Sequence, residues 1–325
     1  MMALHAAQML IGLALEAMLG WPMFLYTRIG HPVSWLGRLI ALGDRHWNDE
    51  NEDDDTRQSR GTMLALGIIL LTGGVALALS LLLVRDWTGA VVGGILAWPL
   101  LAARSLHDHV AAVAEPLAEN DVPRARKAVS MIVGRSPEKL DKPAITRAAA
   151  ESLAENTSDG VIAPLFWGVL LGLPGIAAYK AINTLDSMIA YRTPRHMFFG
   201  RTAAKIDDVA NWIPARLTGL LYVLACNRPI TALRVMLSDA RHHRSPNAGW
   251  PEAAFAGALG IRLSGPRLYA EGPSQDPWLN GDAPDPRPAN LLAGLKLYRR
   301  VVMLAALCAA TPCVIAMWTF QTYAL

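Results

Sequence analysis

Cysteine, charge and the standard nucleotide-binding loops are all scarce or missing in this sequence. Three cysteines in 325 residues, an odd number with no CxxC pair, exclude a disulfide framework and a thiolate metal site. Cys226, Cys308 and Cys313 each lie in or at the end of an apolar run, where cysteine acts as a small hydrophobe. Charged residues make up 18% of the chain, against about 25% in an ordinary soluble domain. That deficit speaks against a disordered chain and a plain cytosolic enzyme. The 30 Lys and Arg nearly balance 27 Asp and Glu, leaving +3, so no net field favours nucleic acid. Neither GxxxxGK[ST] nor GxGxxG occurs, and no Ser-His-Asp or Cys-His arrangement stands out.

Apolar residues are what the chain has in excess: 53% of it, with a mean hydropathy of +0.26. A spanning helix needs roughly 20 mostly apolar residues. Runs 4–19, 61–84 and 301–320 come close, and 88–103 is joined to the second by Arg85-Asp86-Trp87, which predicts a helical hairpin. The first run has no basic flank and contains Glu16, so it reads as an uncleaved span and not a signal peptide. Two further runs are broken: 161–178 by Pro164, Gly168, Gly172, Pro174 and Gly175, and 212–226 by Pro214 and Arg216. These are expected to be re-entrant or buried against protein, where non-helical backbone is tolerated at membrane depth.

The cations arbitrate, because cytoplasmic loops collect Lys and Arg. With four spans, 28 of the 30 fall in 20–60, 104–160, 179–211 and 227–300, all on one side, and only Arg85 lies opposite. The expected fold is therefore all-α: a polytopic membrane protein, one domain over 1–325, with four spans and long cytoplasmic helical loops. Five or six spans is the alternative if the broken runs cross. Asp49–Asp55, six acids in seven residues, reads as a solvated loop tip. Residues 104–160 read as amphipathic helix punctuated by Pro116, Pro123, Pro137 and Pro143, and the proline-rich 262–290 as an irregular excursion.

Polar information is densest in 134–216. Glu151, Glu155 and Asp159 fall at i, i+4 and i+8, so a helix would stack three mutually repelling carboxylates on one face. Lys180, Asn183 and Asp186 share a second face, and Asp207 aligns with Asn211 beside Asp208 in a third cluster. Hard oxygen ligands of this kind suit Mg2+, which takes one or two carboxylates plus phosphate oxygens. Lys180, Arg201, Lys205 and Arg216 lie close by in sequence and could meet phosphate charge, as could Arg135 in a Gly-Arg-Ser turn. Solvated ion pairing on helix surfaces is the bland alternative for all of these. His31 reads as a histidine satisfied by backbone, and His107 and His109 point to different helix faces. His242-His243, within the basic stretch Arg241 to Arg244, reads as a surface or phospholipid-facing patch.

Six stretches, in this order, carry a resemblance: GHPVSWLGRLI (30–40), VGRSPEKLD (133–141), AAESLAENTSDGVIAPLFW (149–167), YKAINTLDSMIAYR (179–192), FGRTAAKIDDVANWIPARLTGLL (199–221) and SPNAGWPEAAFAGALGIRL (245–263). Together they resemble the adenosylcobinamide-phosphate synthase (CobD/CbiB) family of cobalamin biosynthesis over nearly the whole chain. The pattern departs at the first span, where Glu16 and Gly20-Trp21-Pro22 stand in place of an Asp-containing DLLLGDP-like phrase.

The resemblance implies an ATP- and Mg2+-dependent amide ligation of adenosylcobyric acid with aminopropanol or its O-phosphate, on the cytoplasmic face of a bacterial inner membrane. It leaves room for an oligomer and for contact with other corrinoid-pathway membrane enzymes. On it, Glu151, Glu155, Asp159 and Asp186 are candidate catalytic carboxylates, and Asp186, Asp207, Asp208 and Asn211 candidate metal ligands. Arg135, Asn156, Lys180, Asn183, Lys205 and Arg216 are candidate substrate and phosphate binders. The corrin would need a broad mouth, for which Trp250, Phe255 and Tyr269 are candidates. Two other readings compete: a Mg2+–diphosphate-dependent membrane prenyl- or phosphotransferase, and a non-enzymatic membrane sensor.

Overall fold

The computed structural model describes residues 1–132, 140–191, 193–269 and 272–323. It is 78% helical. In chain order the helices are α1 (Met2–Leu19), α2 (Met23–Ile29), α3 (Pro32–Trp47), α4 (Asp54–Leu82), α5 (Trp87–Ala97), α6 (Ala103–Ala118), α7 (Val122–Val129), α8 (Lys142–Thr157), α9 (Ala163–Ile189), α10 (Arg201–Ala210), α11 (Trp212–Ala225), α12 (Pro229–Asp239), α13 (Gly249–Leu259) and α14 (Pro288–Tyr323). Among the described residues, strands are short and confined to the proline-rich excursion: β1 (Leu263–Ser264) pairs antiparallel with β4 (Trp278–Leu279), and β2 (Arg267–Tyr269) with β3 (Gly272–Ser274).

Among the described residues, five helical stretches are long and apolar enough to cross a membrane: Met2–Leu19, Asp54–Leu82, Trp87–Ala118, Lys142–Ile189 and Pro288–Thr319. The chain is an all-α polytopic membrane protein. Four of the five carry the four cleaner apolar runs. The fifth carries run 161–178, whose expected breaks condense into a single kink. Gly172 sits there at φ 70°, ψ −153°, a region open essentially to glycine alone, two residues before Pro174. Of this stretch's apolar window 61% is buried within the protein, against 22% for α4. The outer face of α4, with Leu66, Leu70, Leu77 and Leu81 exposed, is what lipid would cover. Run 212–226 becomes α11, whose 14 residues rise about 21 Å, short of a hydrocarbon core of about 30 Å.

Two compact units emerge from the contacts: Met1–Ala102, Ala163–Asn211 and Ala306–Leu325 in the first, Ala103–Ile162 and Trp212–Ala305 in the second. In the first, α1 packs on a small-residue face of α5 made by Gly89, Ala90, Gly93, Gly94 and Ala97, which lets the backbones approach closely. Gln8 fastens that contact, donating from Nε2 to Gly89 O at 3.2 Å. Ile40, Leu64, Ile68, Leu185, Ile189 and Phe199 form a core between α3, α4, α9 and the approach to α10. The acidic tip is exposed as expected, and it also starts α4: Asp53 accepts from Thr56 N at 3.0 Å as N-cap, with Asp54 and Asp55 in the first turn facing the helix dipole.

In the second unit the described prolines of 104–160 sit largely where a helix tolerates them, and Pro137 lies outside the described residues. Pro123 and Pro143 occupy the first turns of α7 and α8, whose N-caps are Asp121 and Asp141. Pro116 lies near the end of α6. α13 is buried along nearly all its length and packs on α11 and α12.

Candidate functional site

In the first unit, the C-terminal half of α9 and the whole of α10 bring the second and third clusters together as neighbouring helices. Tyr179 is buried, and its hydroxyl donates to Asn211 Oδ1 at 2.8 Å. Asn211, 1% exposed, donates from Nδ2 to Asp207 Oδ2 at 3.0 Å. Trp167 Nε1 adds a bond to Ala210 O at 3.1 Å. A tyrosine on one helix thus sets an asparagine that sets a carboxylate on the next. Asp186, Asn183 and Lys180 on α9 are half-buried, and Lys205 and Asp208 on α10 are exposed.

The donors on this pair are hard oxygens with no thiol or imidazole among them, which fits Mg2+ better than a softer metal. No three His, Cys, Asp or Glu side chains gather as a metal-ion cluster among the described residues, and Mg2+ held partly by waters and phosphate needs no such trio.

His31 is satisfied by backbone as expected: its Nδ1 accepts from Val33 N at 3.2 Å and caps α3. Its surroundings add something the sequence did not pair. Burial, and then the Lys180 ammonium, hold the imidazole below its ordinary pKa. The His31 turn therefore lies within electrostatic reach of α9.

The acidic stripe belongs to the second unit up to Ile162 and does not keep a common environment. α8 ends at Thr157, and Ser158–Ile162 form one π turn, so Asp159 leaves the i+4 register. Glu151 is 6% exposed and accepts from Ser264 N at 2.7 Å, while Glu155 is exposed and Asp159 half-buried. Asn156, also exposed, donates to Ser152 O at 2.9 Å. Arg135 lies outside the described residues.

Two expectations for the second unit change. Phe255 lines no mouth: it is fully buried and stacks edge-on against Tyr222, with ring centroids 5.2 Å apart, because α13 is a core helix. Tyr269's side chain lies outside the described residues. His243 is not a surface residue either. Its side chain is 6% exposed and its Nε2 lies 3.6 Å from Glu252 Oε1, although the neighbouring His242 is exposed.

Sequence reasoning also missed a cluster assembled from distant positions. Arg262 binds Asp285 through two 2.9 Å bonds, Arg147 lies 3.5 Å from the same carboxylate, and both guanidiniums stack on Trp278. The Arg262 hydrogen bonds hold Asp285 below its ordinary pKa. With its charged partners 23 residues apart or more, no local spacing could have announced it.

Comparison with known proteins adds a global likeness. A family model described as "CobD/Cbib protein" matches residues 9–298. A protein named "Cobalamin biosynthesis protein CobD" from Rhodobacter capsulatus is 60% identical over 297 residues, covering 91% of this chain and 94% of the relative. Proteins of the same name from Brucella suis and Rhizobium meliloti are 49% and 43% identical, covering 83% and 84% of this chain and 85% of each relative. No solved structure matches.

Proposed function

The chain belongs to the CobD/CbiB family, and on that footing we propose that it serves cobalamin biosynthesis as an ATP- and Mg2+-dependent acid–amine ligase. In this reading it joins a propionate carboxylate of adenosylcobyric acid to the amine of (R)-1-aminopropan-2-ol or its O-phosphate. The product is adenosylcobinamide or its phosphate. The observation that carries the proposal is the 60% identity to a named cobalamin biosynthesis protein over 91% of the chain.

The chemistry suits the residues. A carboxylate is a poor acyl donor, so its oxygen attacks the terminal phosphate of ATP to give an acyl phosphate and ADP. The amine, once deprotonated, attacks the acyl carbon and expels inorganic phosphate. Asp186, Asp207 and Asp208 would hold Mg2+, with Asn211 keeping Asp207 in position. Bound Mg2+ would offset charge on the phosphates. Lys180, Lys205, Arg216 and Arg135 would meet phosphate oxygens, and Asn156 and Asn183 would orient substrate by hydrogen bonds. The ammonium's proton would pass to a carboxylate of the Glu151, Glu155 and Asp159 set, in which Glu155 is the solvent-exposed member. With run 161–178 held within the protein and only the four cleaner runs crossing, 28 of the 30 Lys and Arg share one side, which supports an inner-membrane protein with its active face in the cytoplasm.

Membranes containing the chain, supplied with ATP, Mg2+, adenosylcobyric acid and either acceptor, should yield the amide, detected by mass spectrometry. Absence of ATP- and Mg2+-dependent product with both acceptors would overturn the reading.

A further inference from the structure

In the second unit a cleft of about 510 Å3 is lined by Trp212, Arg216, Arg241, His243, Ser245 and Trp250, among others. Arg216 is held there by neutral groups. Its Nη1 donates to Trp212 O at 2.9 Å and Asn247 Oδ1 at 2.6 Å, and its Nη2 to Pro246 O at 3.2 Å. The indole rings of Trp212 and Trp250 each lie 4.7 Å from the guanidinium carbon. Among the described residues no carboxylate lines the cleft or pairs with Arg216.

A guanidinium has five N–H groups. The three bonds above use both on Nη1 and one on Nη2. What remains is Nε–H and one Nη2–H, two donors on neighbouring nitrogens that a tetrahedral oxyanion can accept from. Arg241 lines the same cleft, so two cations share it without a compensating acid. An anion between them would relieve their repulsion.

The fork is also braced from behind. Glu252 on α13 and His243 form a buried pair, with side chains 3% and 6% exposed. Ser245 N donates to His243 Nδ1 at 3.1 Å, and Ser245 Oγ accepts from Asn247 N at 3.3 Å and Ala248 N at 3.1 Å. The turn fixed in this way presents Pro246 O and Asn247 Oδ1, the two acceptors outside α11 that orient Arg216. His243 has both ring nitrogens turned to protein groups, so it positions and does not touch ligand.

We infer that this cleft binds a phosphate group, as the phosphomonoester of a soluble molecule or of a lipid headgroup. Arg216 is its bidentate donor, Arg241 the second charge, and the His243–Glu252 pair the brace. The inference deepens the ligase reading and rests on it only for which molecule carries the phosphate.

The test uses the full chain in dodecyl maltoside, free of ATP and corrinoid, titrated with inorganic phosphate by calorimetry. Wild type should bind saturably, and Arg216→Gln should weaken binding at least about tenfold, the scale of a charge-assisted pair. Arg216→Lys should restore only part of it, because a point charge lacks the fork. Glu252→Gln should weaken binding severalfold alone and add nothing in the Arg216→Gln background, which a merely structural brace would not produce. Arg241→Gln, on an exposed side chain, carries the test if Arg216→Gln misfolds, and a smaller loss is expected.

A second arm adds phosphatidic acid to the micelles. Displacement of phosphate assigns the site to a headgroup, and no displacement assigns it to a soluble phosphate ester. The inference is overturned if wild type binds neither probe, or if folded Arg216→Gln and Arg241→Gln proteins bind like wild type. Loss of this site with ligase activity intact would leave the reaction standing, and the reverse outcome would leave the site.

Discussion

In the first unit, a carboxylate on α10 is set by a neutral chain, Tyr179 to Asn211 to Asp207. In the second, the guanidinium of Arg216 is set by neutral carbonyls, an amide and two indoles. Elsewhere in each unit charges are matched to charges: Asp44 lies between Arg195 and His196 in one, and Asp285 between Arg262 and Arg147 in the other. Charge matched within the protein is already spent on the fold. Charge steered by neutral dipoles keeps its field for a ligand, and the neutral brace still removes the conformational freedom that binding would otherwise have to freeze. On that contrast rests the proposed anion site in the Trp212–Trp250 cleft, whereas the α9–α10 pair offers the hard oxygens proposed for Mg2+.

The sharpest way to break the contrast is to neutralise the acidic half. Asp207→Asn and Asp186→Asn, checked for normal insertion, should lower kcat/KM of the proposed ligation by about 100-fold or more, since even outer partners of a metal ligand are worth 10–100-fold. Wild-type rates in both would remove the metal role. The next largest effect concerns the neutral brace. Tyr179→Phe deletes the donor to a buried Asn211 Oδ1, which should cost about 1–3 kcal/mol of stability by thermal unfolding. It should also raise the Mg2+ concentration needed for half-maximal rate. A shift in stability without any shift in Mg2+ dependence would make the chain structural only.

The smallest effect separates charge-matched groups from the site. Burial acts to raise Asp44's pKa, but hydrogen bonds from Asn48 and His196 and the charges of His196 and Arg195 outweigh it, so the carboxyl lies below its ordinary value. A folded pKa below the unfolded one of about 3.9 means this group stabilises fully above that pH and loses its contribution as pH falls through the folded value. Asp44→Asn should therefore lower Tm near neutrality, with the difference closing in strong acid, and leave the ligation rate unchanged. A rate loss would place Asp44 in the machinery.

Much of this architecture can be read along the chain. Apolar runs of about 20 residues fix where helices of the right length lie, because lipid leaves the backbone no other partner than itself. Pro123 and Pro143 mark helix starts for the same local reason that Asp121 and Asp141 cap them. The oxygen-rich clusters on α9 and α10 follow from helical spacing alone. Spacing misled at Glu151, Glu155 and Asp159, where one π turn shifts the third carboxylate and the first accepts from the backbone N–H of Ser264. It also misled at Phe255, since the apolar content of α13 does not say whether that helix coats a mouth or fills a core.

The sequence by itself determined the membrane character, the apolar runs that become helices and the residue types available for Mg2+ and phosphate, since each depends on neighbours within a turn or two. Only the tertiary structure decided which charges are spent. Arg216 meets Asn247 across 31 positions, and Arg195 meets Asp44 across 151. Whether a given charge stands against an opposite charge or a neutral dipole depends on such distant pairings, which packing sets and local spacing does not.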